Sequence, residues 1–225
     1  VRRLVREGSF FFKIKIGPPG TQQEMLAKDC ARVSELHAIL REVRTEDSAT
    51  GRAFYYFDAN GRYADKETLL RFADYLERIG AREQTAIVEE PFDEMNEVDV
   101  HDIPLRLAAD ESAHTVADAE RRMEMGYRAI ALKPIAKTLS MTLKIAAAAA
   151  RRNVPCFCAD LTVNPVLVEW NRAVAERLPQ FPGLGKLGLL ESNGPQNYRN
   201  WDVLCHDVPR DGIFAPMPRY EALFN

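Results

Sequence analysis

The chain has 225 residues, of which 46% are hydrophobic, and a formal net charge of −3 at pH 7. This length suits a single α/β barrel domain, and the apolar content excludes a disordered chain. The absence of a long Lys/Arg run argues against nucleic-acid binding, and no apolar run approaches the roughly 20 residues of a membrane span. The four cysteines fit no zinc pattern and no signal peptide is visible, so we expect reduced thiols and a cytoplasmic enzyme.

Strand-like and helix-like segments alternate along the chain, after a first segment that is typical of the end of a helix. Alternating apolar residues predict the strands, whereas apolar residues on one face and capping residues predict the helices. This alternation predicts βαβ units and a parallel sheet, and the lack of a dinucleotide fingerprint favours a closed barrel over an open sheet. The predicted elements are strand 10–16, helix 21–41, strand 53–57, helix 65–79, strand 86–88, strand 105–109, helix 115–125 closed by Gly126, strand 129–132, helix 140–152, strand 154–159, helix 165–178 and strand 185–190.

Charged residues stand at the carboxyl end of strand after strand. In a barrel these ends meet at one edge, which is where such enzymes place their active sites. The intervals between successive charged residues after the second strand are 31, 21 and 23 residues, close to one βα unit or slightly more, so neighbouring strands supply them. The residues concerned are Lys13, Lys15, Asp58, Glu89, Asp110, Lys133 and Asp160.

Three of these residues, Asp58, Glu89 and Asp110, are carboxylates that the predicted fold brings together. Converging carboxylates cannot all remain ionised without a cation, and hard oxygen ligands suit Mg²⁺. Each acid taken alone is as consistent with a helix cap or a surface residue as with a metal ligand. Three acids at successive strand ends, beside lysines, favour a metal site.

Lys13 and Lys15 are two residues apart in a strand, so both side chains point to the same face. Mutual repulsion and burial would favour the neutral amine and so create a base near neutral pH. On an exposed edge strand the same pair would only discourage aggregation. The three phenylalanines that precede the pair favour a buried strand.

Five motifs together resemble the enolase superfamily, specifically the muconate-lactonizing and dipeptide-epimerase-like branch of the mandelate racemase/muconate lactonizing enzyme family. They follow one another in the family order and at similar spacing, over residues 1–165, with a looser resemblance beyond. The motifs are FKIKIG at 12–17, FDANGRY at 57–63, VEEPF at 88–92, ADES at 109–112 and ALKP at 131–134.

The resemblance implies an α/β fold, a modified TIM barrel of the (β/α)7β type, which we assign to residues 1–225 as one domain. It also implies that a substrate carboxylate binds Mg²⁺ and that loss of its α-proton gives an enediolate, a Mg²⁺-dependent pattern that is general for enolase-type sites. The residues that match family positions are Asp58, Glu89 and Asp110 as Mg²⁺ ligands, Lys15 as the base, Lys13 as its tuning neighbour, Lys133 as the acid/base on the opposite face, and Asn60 and Glu111 around them.

The sequence departs from the family pattern in several places. The segment after Lys133 lacks the usual Gly-Gly turn, no histidine ends the predicted strand 154–159, and no Asp-x-Asp motif marks the last predicted strand. Asp160, Asn164 and Glu191 are therefore as consistent with substrate contacts as with caps or loops. We further expect the N-terminal capping domain and the first barrel strand of the family to be absent.

We predict an enzyme that transfers a proton next to the carboxylate of a small-molecule substrate, a racemase or epimerase. The alternative is a dehydratase or cycloisomerase, a lyase-type enzyme that would use the same enediolate. Two rivals of other classes are a non-catalytic metal-binding barrel scaffold and an aldolase with a Schiff-base lysine. We expect no nucleic-acid or membrane partner, and we expect a homo-oligomer, because an opened barrel would expose sheet edges.

Overall fold

The structure is a computed structural model that describes residues 1–159, 163–184, 188–192, 197–208 and 211. The chain folds into two compact units, Val1–Ala129 and Ile130–Asn225. The helices are α1 (Arg2–Arg6), α2 (Gln22–Leu40), α3 (Lys66–Arg78), α4 (Val116–Glu124), α5 (Leu139–Arg151), α6 (Pro165–Ala175) and α7 (Trp201–Cys205). The strands are β1 (Phe11–Lys15), β2 (Phe54–Asp58), β3 (Thr85–Glu89), β4 (Leu107–Ala109), β5 (Ala129–Leu132) and β6 (Cys156–Cys158).

In the first unit, β1, β2, β3 and β4 pair in chain order, and every pair is parallel. The register places Lys15 opposite Asp58, and Asp58 opposite Glu89. Three neighbouring strands therefore end at the same level, each with a charged residue. This register confirms the prediction that the charged residues of β1, β2 and β3 meet at one edge of the sheet.

Helices cover the sheet of the first unit with large apolar side chains. All five residues of β2 are buried, as expected for a parallel strand that is covered on both faces. Leu69, Phe72 and Leu76 of α3 are fully buried, and the rings of Phe57 and Phe72 make an edge contact with centroids 5.5 Å apart. This core fixes the strands whose ends carry the charged residues.

The predicted helix starts of the first unit are confirmed at the level of single hydrogen bonds. Thr21 caps α2 and forms a capping box with Glu24, and Thr115 forms another with Asp118 at the start of α4. Each box satisfies backbone N–H groups that the first helical turn leaves without partners.

The second unit contains β5, which begins at the boundary, and β6, which pairs with it in parallel. Of the last predicted strand, residues 185–187 lie outside the described residues, but Leu190 bridges Cys158 in parallel. The helix predicted for 165–178 is shorter, since α6 ends at Ala175. Within the described part of the chain, no helix has the length and apolarity to cross a membrane.

Two glycines that follow helix ends provide a test of this packing. Gly80 after α3 and Gly126 after α4 both have positive φ, +74° and +105°. A Cβ at Gly126 would lie 2.7 Å from the His101 backbone nitrogen, whereas nothing lies within 4 Å of one at Gly80. We expect Gly80→Ala to lower the free energy of unfolding by about 1 kcal/mol through backbone conformation alone, and Gly126→Ala by about 3 kcal/mol because overpacking is added. Urea denaturation measures both, and equal losses would contradict the close approach at His101.

Candidate metal and proton-transfer site

Lys13 is the positive charge between two buried carboxylates of neighbouring strands. Its Nζ lies 3.0 Å from Asp58 Oδ2 and 2.9 Å from Glu89 Oε2. The same ammonium lies 4.7 Å from the centre of the Tyr56 ring, within cation–π range. The Lys13 side chain is only 18% exposed, so these contacts are weakly screened by water.

Lys15 lies one strand pleat further on and has a different environment. Its ammonium forms an ion pair with Asp58 and donates a hydrogen bond to Asn60 Oδ1 at 2.8 Å. The side chain is 59% exposed. The prediction that burial affects both lysines is therefore wrong for Lys15, because β1 ends there and its last side chain extends into solvent. An exposed amine beside buried carboxylates is accessible to a small molecule.

The pKa values of the two carboxyl groups, Asp58 and Glu89, are shifted in opposite directions. Burial raises the pKa of Asp58, but the charge of Lys13, a hydrogen bond with Glu89 and the contact with Lys15 together outweigh it, so this pKa lies below its ordinary value. Glu89 is completely buried, and burial together with the charges of Asp58 and Asp110 holds its pKa well above the ordinary value despite Lys13. Of the two groups, Glu89 therefore holds its proton more tightly than Asp58.

A second buried glutamate holds the turn that carries Asp110. Glu90 is 2% exposed and has a positive φ of +37°. Its Oε2 accepts hydrogen bonds from the backbone N–H of Asp110 at 2.5 Å and of Ser112 at 3.3 Å, and from the Ser112 hydroxyl at 3.1 Å. Glu90 was not predicted as a site residue, although the Glu-Glu-Pro run gave a signal. Adjacent side chains of a strand point to opposite faces, so only one of the two acids can share the face of Asp58.

Asn60 and Glu111 lie at the margin of the same cluster. The backbone N–H of Asn60 donates to Asp58 Oδ1 at 3.1 Å, and its Nδ2 lies 3.5 Å from Glu111 Oε1. Asn60 adopts a φ of +44°, a conformation that Asn tolerates better than most residues. The structure thus brings Asn60 to Lys15 and Asp58, as their shared strand ends predict.

The remaining predicted site residues belong to the second unit. Lys133 directly follows β5. Asn164 is the N-cap of α6, where its Oδ1 accepts from the Leu167 N–H at 3.1 Å, and Asp160 lies outside the described residues. The roles of these three residues stay predictions.

Comparison with known proteins places the chain in a family. The model of the family described as "Enolase C-terminal domain-like" matches residues 1–185. The chain belongs to this family. No curated protein matched the chain at a significant level.

Solved structures with a similar fold include members of the same superfamily. A mandelate racemase/muconate lactonizing enzyme from a Roseiflexus species is 22% identical, with a TM-score of 0.70 over 87% of this chain and 51% of that one. The L-Ala-D/L-Glu epimerase from Bacillus subtilis is 20% identical, with a TM-score of 0.68 over 89% and 51%. A dipeptide epimerase from Methylococcus capsulatus, complexed with a Mg ion, is 20% identical, with a TM-score of 0.65 over 88% and 52%. These matches confirm the predicted α/β barrel-type fold class, and the chain spans about half the length of these proteins.

The carboxylate oxygens of the candidate site are consistent with membership of this family. Asp58, Glu89 and Asp110 are buried carboxylates, and Glu89 Oε1 is buried without a hydrogen-bond partner. Such oxygens suit a hard divalent cation. Among the described residues no three metal-binding side chains already converge on one point, and Lys13 lies between Asp58 and Glu89. The residues therefore fit a Mg²⁺ site by type and burial.

Replacement of each lysine by Met tests which one compensates the buried carboxylates. Lys13→Met removes a weakly exposed partner of two buried acids, so we expect a loss of about 3 kcal/mol in the free energy of unfolding. Lys15→Met removes a largely exposed partner, so the expected loss is below about 1 kcal/mol. Urea denaturation at pH 7 in EDTA compares the two variants. A larger loss for Lys15→Met would show that Lys13 is not the main compensating charge.

Proposed function

We propose that the protein catalyses Mg²⁺-dependent transfer of a proton next to a carboxylate, as a racemase or epimerase. The observation that carries this proposal is the alignment of Lys15, Asp58 and Glu89 at one level on three neighbouring parallel strands. An accessible amine and a carboxylate cluster therefore face the same space. This is the combination needed to remove a proton from a carbon acid while the negative charge that develops is stabilised nearby.

Lys15 is the proposed base. Its amine is exposed, so a substrate can approach it, and Asn60 and Asp58 fix its direction through the contacts described above. Lys13 is less suited to this role, since both of its carboxylate contacts and the Tyr56 ring enclose it. We therefore assign Lys13 to charge compensation within the cluster.

Asp58, Glu89 and Asp110 would hold the Mg²⁺ ion. When bound, the ion supplies positive charge that stabilises the negative charge developing on a substrate carboxylate. The buried Oε1 of Glu89, which has no hydrogen-bond partner, supports this assignment. So does the Mg ion in the dipeptide epimerase of similar fold.

Lys133 is the proposed second acid/base. It directly follows the last residue of β5 in the second unit, whereas Lys15 is the last residue of β1 in the first, so each lysine lies at the carboxyl end of a strand. Proton removal by one lysine and return by the other would invert the configuration of the α-carbon. The pair of lysines is the reason to place racemisation or epimerisation ahead of elimination, which needs a leaving group but no second lysine of this kind.

Deuterium exchange tests the proposal directly. The chain is incubated with Mg²⁺ and a library of chiral carboxylates, including dipeptides, in D₂O, and mass spectrometry follows incorporation at the α-carbon. We expect exchange that EDTA abolishes, and we expect Lys15→Ala to slow exchange of the enantiomer that Lys15 deprotonates by about 10²-fold or more, as for loss of a general base. Lys133→Ala should leave exchange of only one enantiomer, and Lys28→Ala, which removes an exposed lysine of α2, serves as the matched control.

Other outcomes would exclude parts of this mechanism. Exchange that survives EDTA would rule out the role of Mg²⁺, and undiminished exchange of both enantiomers in Lys15→Ala would rule out this base. Conversion of the substrate to an unsaturated or cyclic product would favour the dehydratase or cycloisomerase alternative. Mg²⁺ binding without exchange of any library member would favour the non-catalytic scaffold.

A further inference from the structure

A buried carboxylate outside the candidate metal site holds the backbone next to Lys15. Asp29 lies in the middle of α2 on the buried face that also carries Met25 and Val33, and it is 1% exposed. A carboxylate in an apolar helix face is costly unless it is well hydrogen-bonded. Burial indeed raises the pKa of Asp29 despite its hydrogen-bond donors. Packing alone therefore does not explain a carboxylate at position 29.

The hydrogen bonds of Asp29 converge on the strand end that carries Lys15. Both carboxylate oxygens lie 3.0 Å from the backbone nitrogen of Gly17, which donates to them. One helical turn on, Arg32 Nη1 donates to the Lys15 carbonyl at 2.6 Å. Between these contacts, the Ile16 N–H donates to the Asp58 carbonyl at 2.9 Å. Three consecutive residues of the backbone are therefore fixed, two of them by α2.

Asp29 also connects this strand end to the loop that follows β2. The Tyr63 hydroxyl donates a hydrogen bond to Asp29 Oδ2 at 3.1 Å. Tyr63 lies in the loop that follows Asp58, the last residue of β2, and this loop also contains Asn60. At Gly17, φ is +75° and an added Cβ would lie 2.6 Å from the Arg62 Cβ, so the two loops are in close contact. One carboxylate thus sets the position of Lys15 relative to the two side chains that its amine contacts.

We propose that Asp29 is a positioning residue that, through Gly17 and Tyr63, holds Lys15 against Asp58 and Asn60. Asp29 touches neither the candidate metal ligands nor the amine, and acts through the backbone. The inference rests on the proposed function where it concerns catalysis. Its structural part, the fixed direction of the Lys15 amine, can be measured without any substrate.

Three variants separate positioning from stability. Asp29→Leu removes both acceptors but keeps a side chain of similar size, and it leaves the Gly17 N–H and the Tyr63 hydroxyl without their partner, so the unfolding midpoint should fall. Asp29→Asn keeps one acceptor and should be intermediate in positioning. Val33→Ala opens a cavity on the same buried face and should lower the unfolding midpoint without removing a hydrogen bond to residues 15–17.

The first measurement is acetylation of Lys15 at one fixed pH, quantified by peptide mass spectrometry relative to the exposed Lys144. We expect Asp29→Leu to raise the relative labelling of Lys15 several-fold, Asp29→Asn to raise it less, and Val33→Ala to leave it unchanged. Circular dichroism and the unfolding midpoint establish which variants are folded. If Asp29→Leu is not folded, the labelling of Lys15 in Asp29→Asn decides the question. Unchanged labelling of Lys15 in a folded Asp29 variant would overturn the proposal, whether or not the chain has the proposed activity.

The second measurement compares α-proton exchange of the two enantiomers of one substrate. Displacement of a reacting group by about 1 Å can cost 10²-fold in rate, so the Asp29 variants should strongly slow exchange of the enantiomer that Lys15 deprotonates. They should slow the other enantiomer much less and leave KM unchanged, whereas Val33→Ala should affect both enantiomers equally. Equal slowing by Asp29→Leu would reduce Asp29 to a structural residue. Absence of exchange in the unmodified chain would count against the proposed function, and the labelling experiment would still decide the role of Asp29.

Discussion

Asp58 and Glu89 bury two carboxylates side by side, and the surrounding structure depends on how their charge is compensated. Lys13 supplies an ammonium between them, and complete burial keeps the pKa of Glu89 well above its ordinary value. Such an arrangement is unfavourable for stability alone, because desolvation of buried charges offsets much of their attraction. Binding of a cation by these carboxylates would explain the arrangement. Their oxygens are the donor atoms that Mg²⁺ prefers.

The parallel sheet explains how the cluster forms from residues that are far apart in sequence. Parallel strands in register place their carboxyl ends at one level, so single residues at the ends of β1, β2 and β3 become neighbours. The backbone around them is then fixed by buried carboxylates of a different kind. Glu90 binds the turn at Asp110, and Asp29 binds the turn at Gly17. The acids that would meet a cation are thus distinct from the acids that hold the loops.

Much of the first unit could be predicted from the sequence because its signals are local. The alternation around Lys13 and Lys15, the Thr21 and Thr115 caps, and the acids after apolar runs each depend on a few consecutive residues. The supporting contacts could not be predicted in this way. Asp29 follows Met25 and precedes Val33 at a spacing of four, so its burial could be read from the sequence, but its partners Gly17 and Tyr63 depend on the tertiary fold. The exposure of Lys15 was likewise mispredicted, because it depends on where the strand ends.

The central claim is that Asp58, Glu89 and Asp110 form one divalent-cation site. Anomalous diffraction from crystals of the chain grown with Mn²⁺, a substitute for Mg²⁺, tests it most directly. The account predicts one anomalous peak at about 2.1 Å from an oxygen of each of the three carboxylates. A Mn²⁺ peak elsewhere, with Lys13 still bridging Asp58 and Glu89, would contradict it.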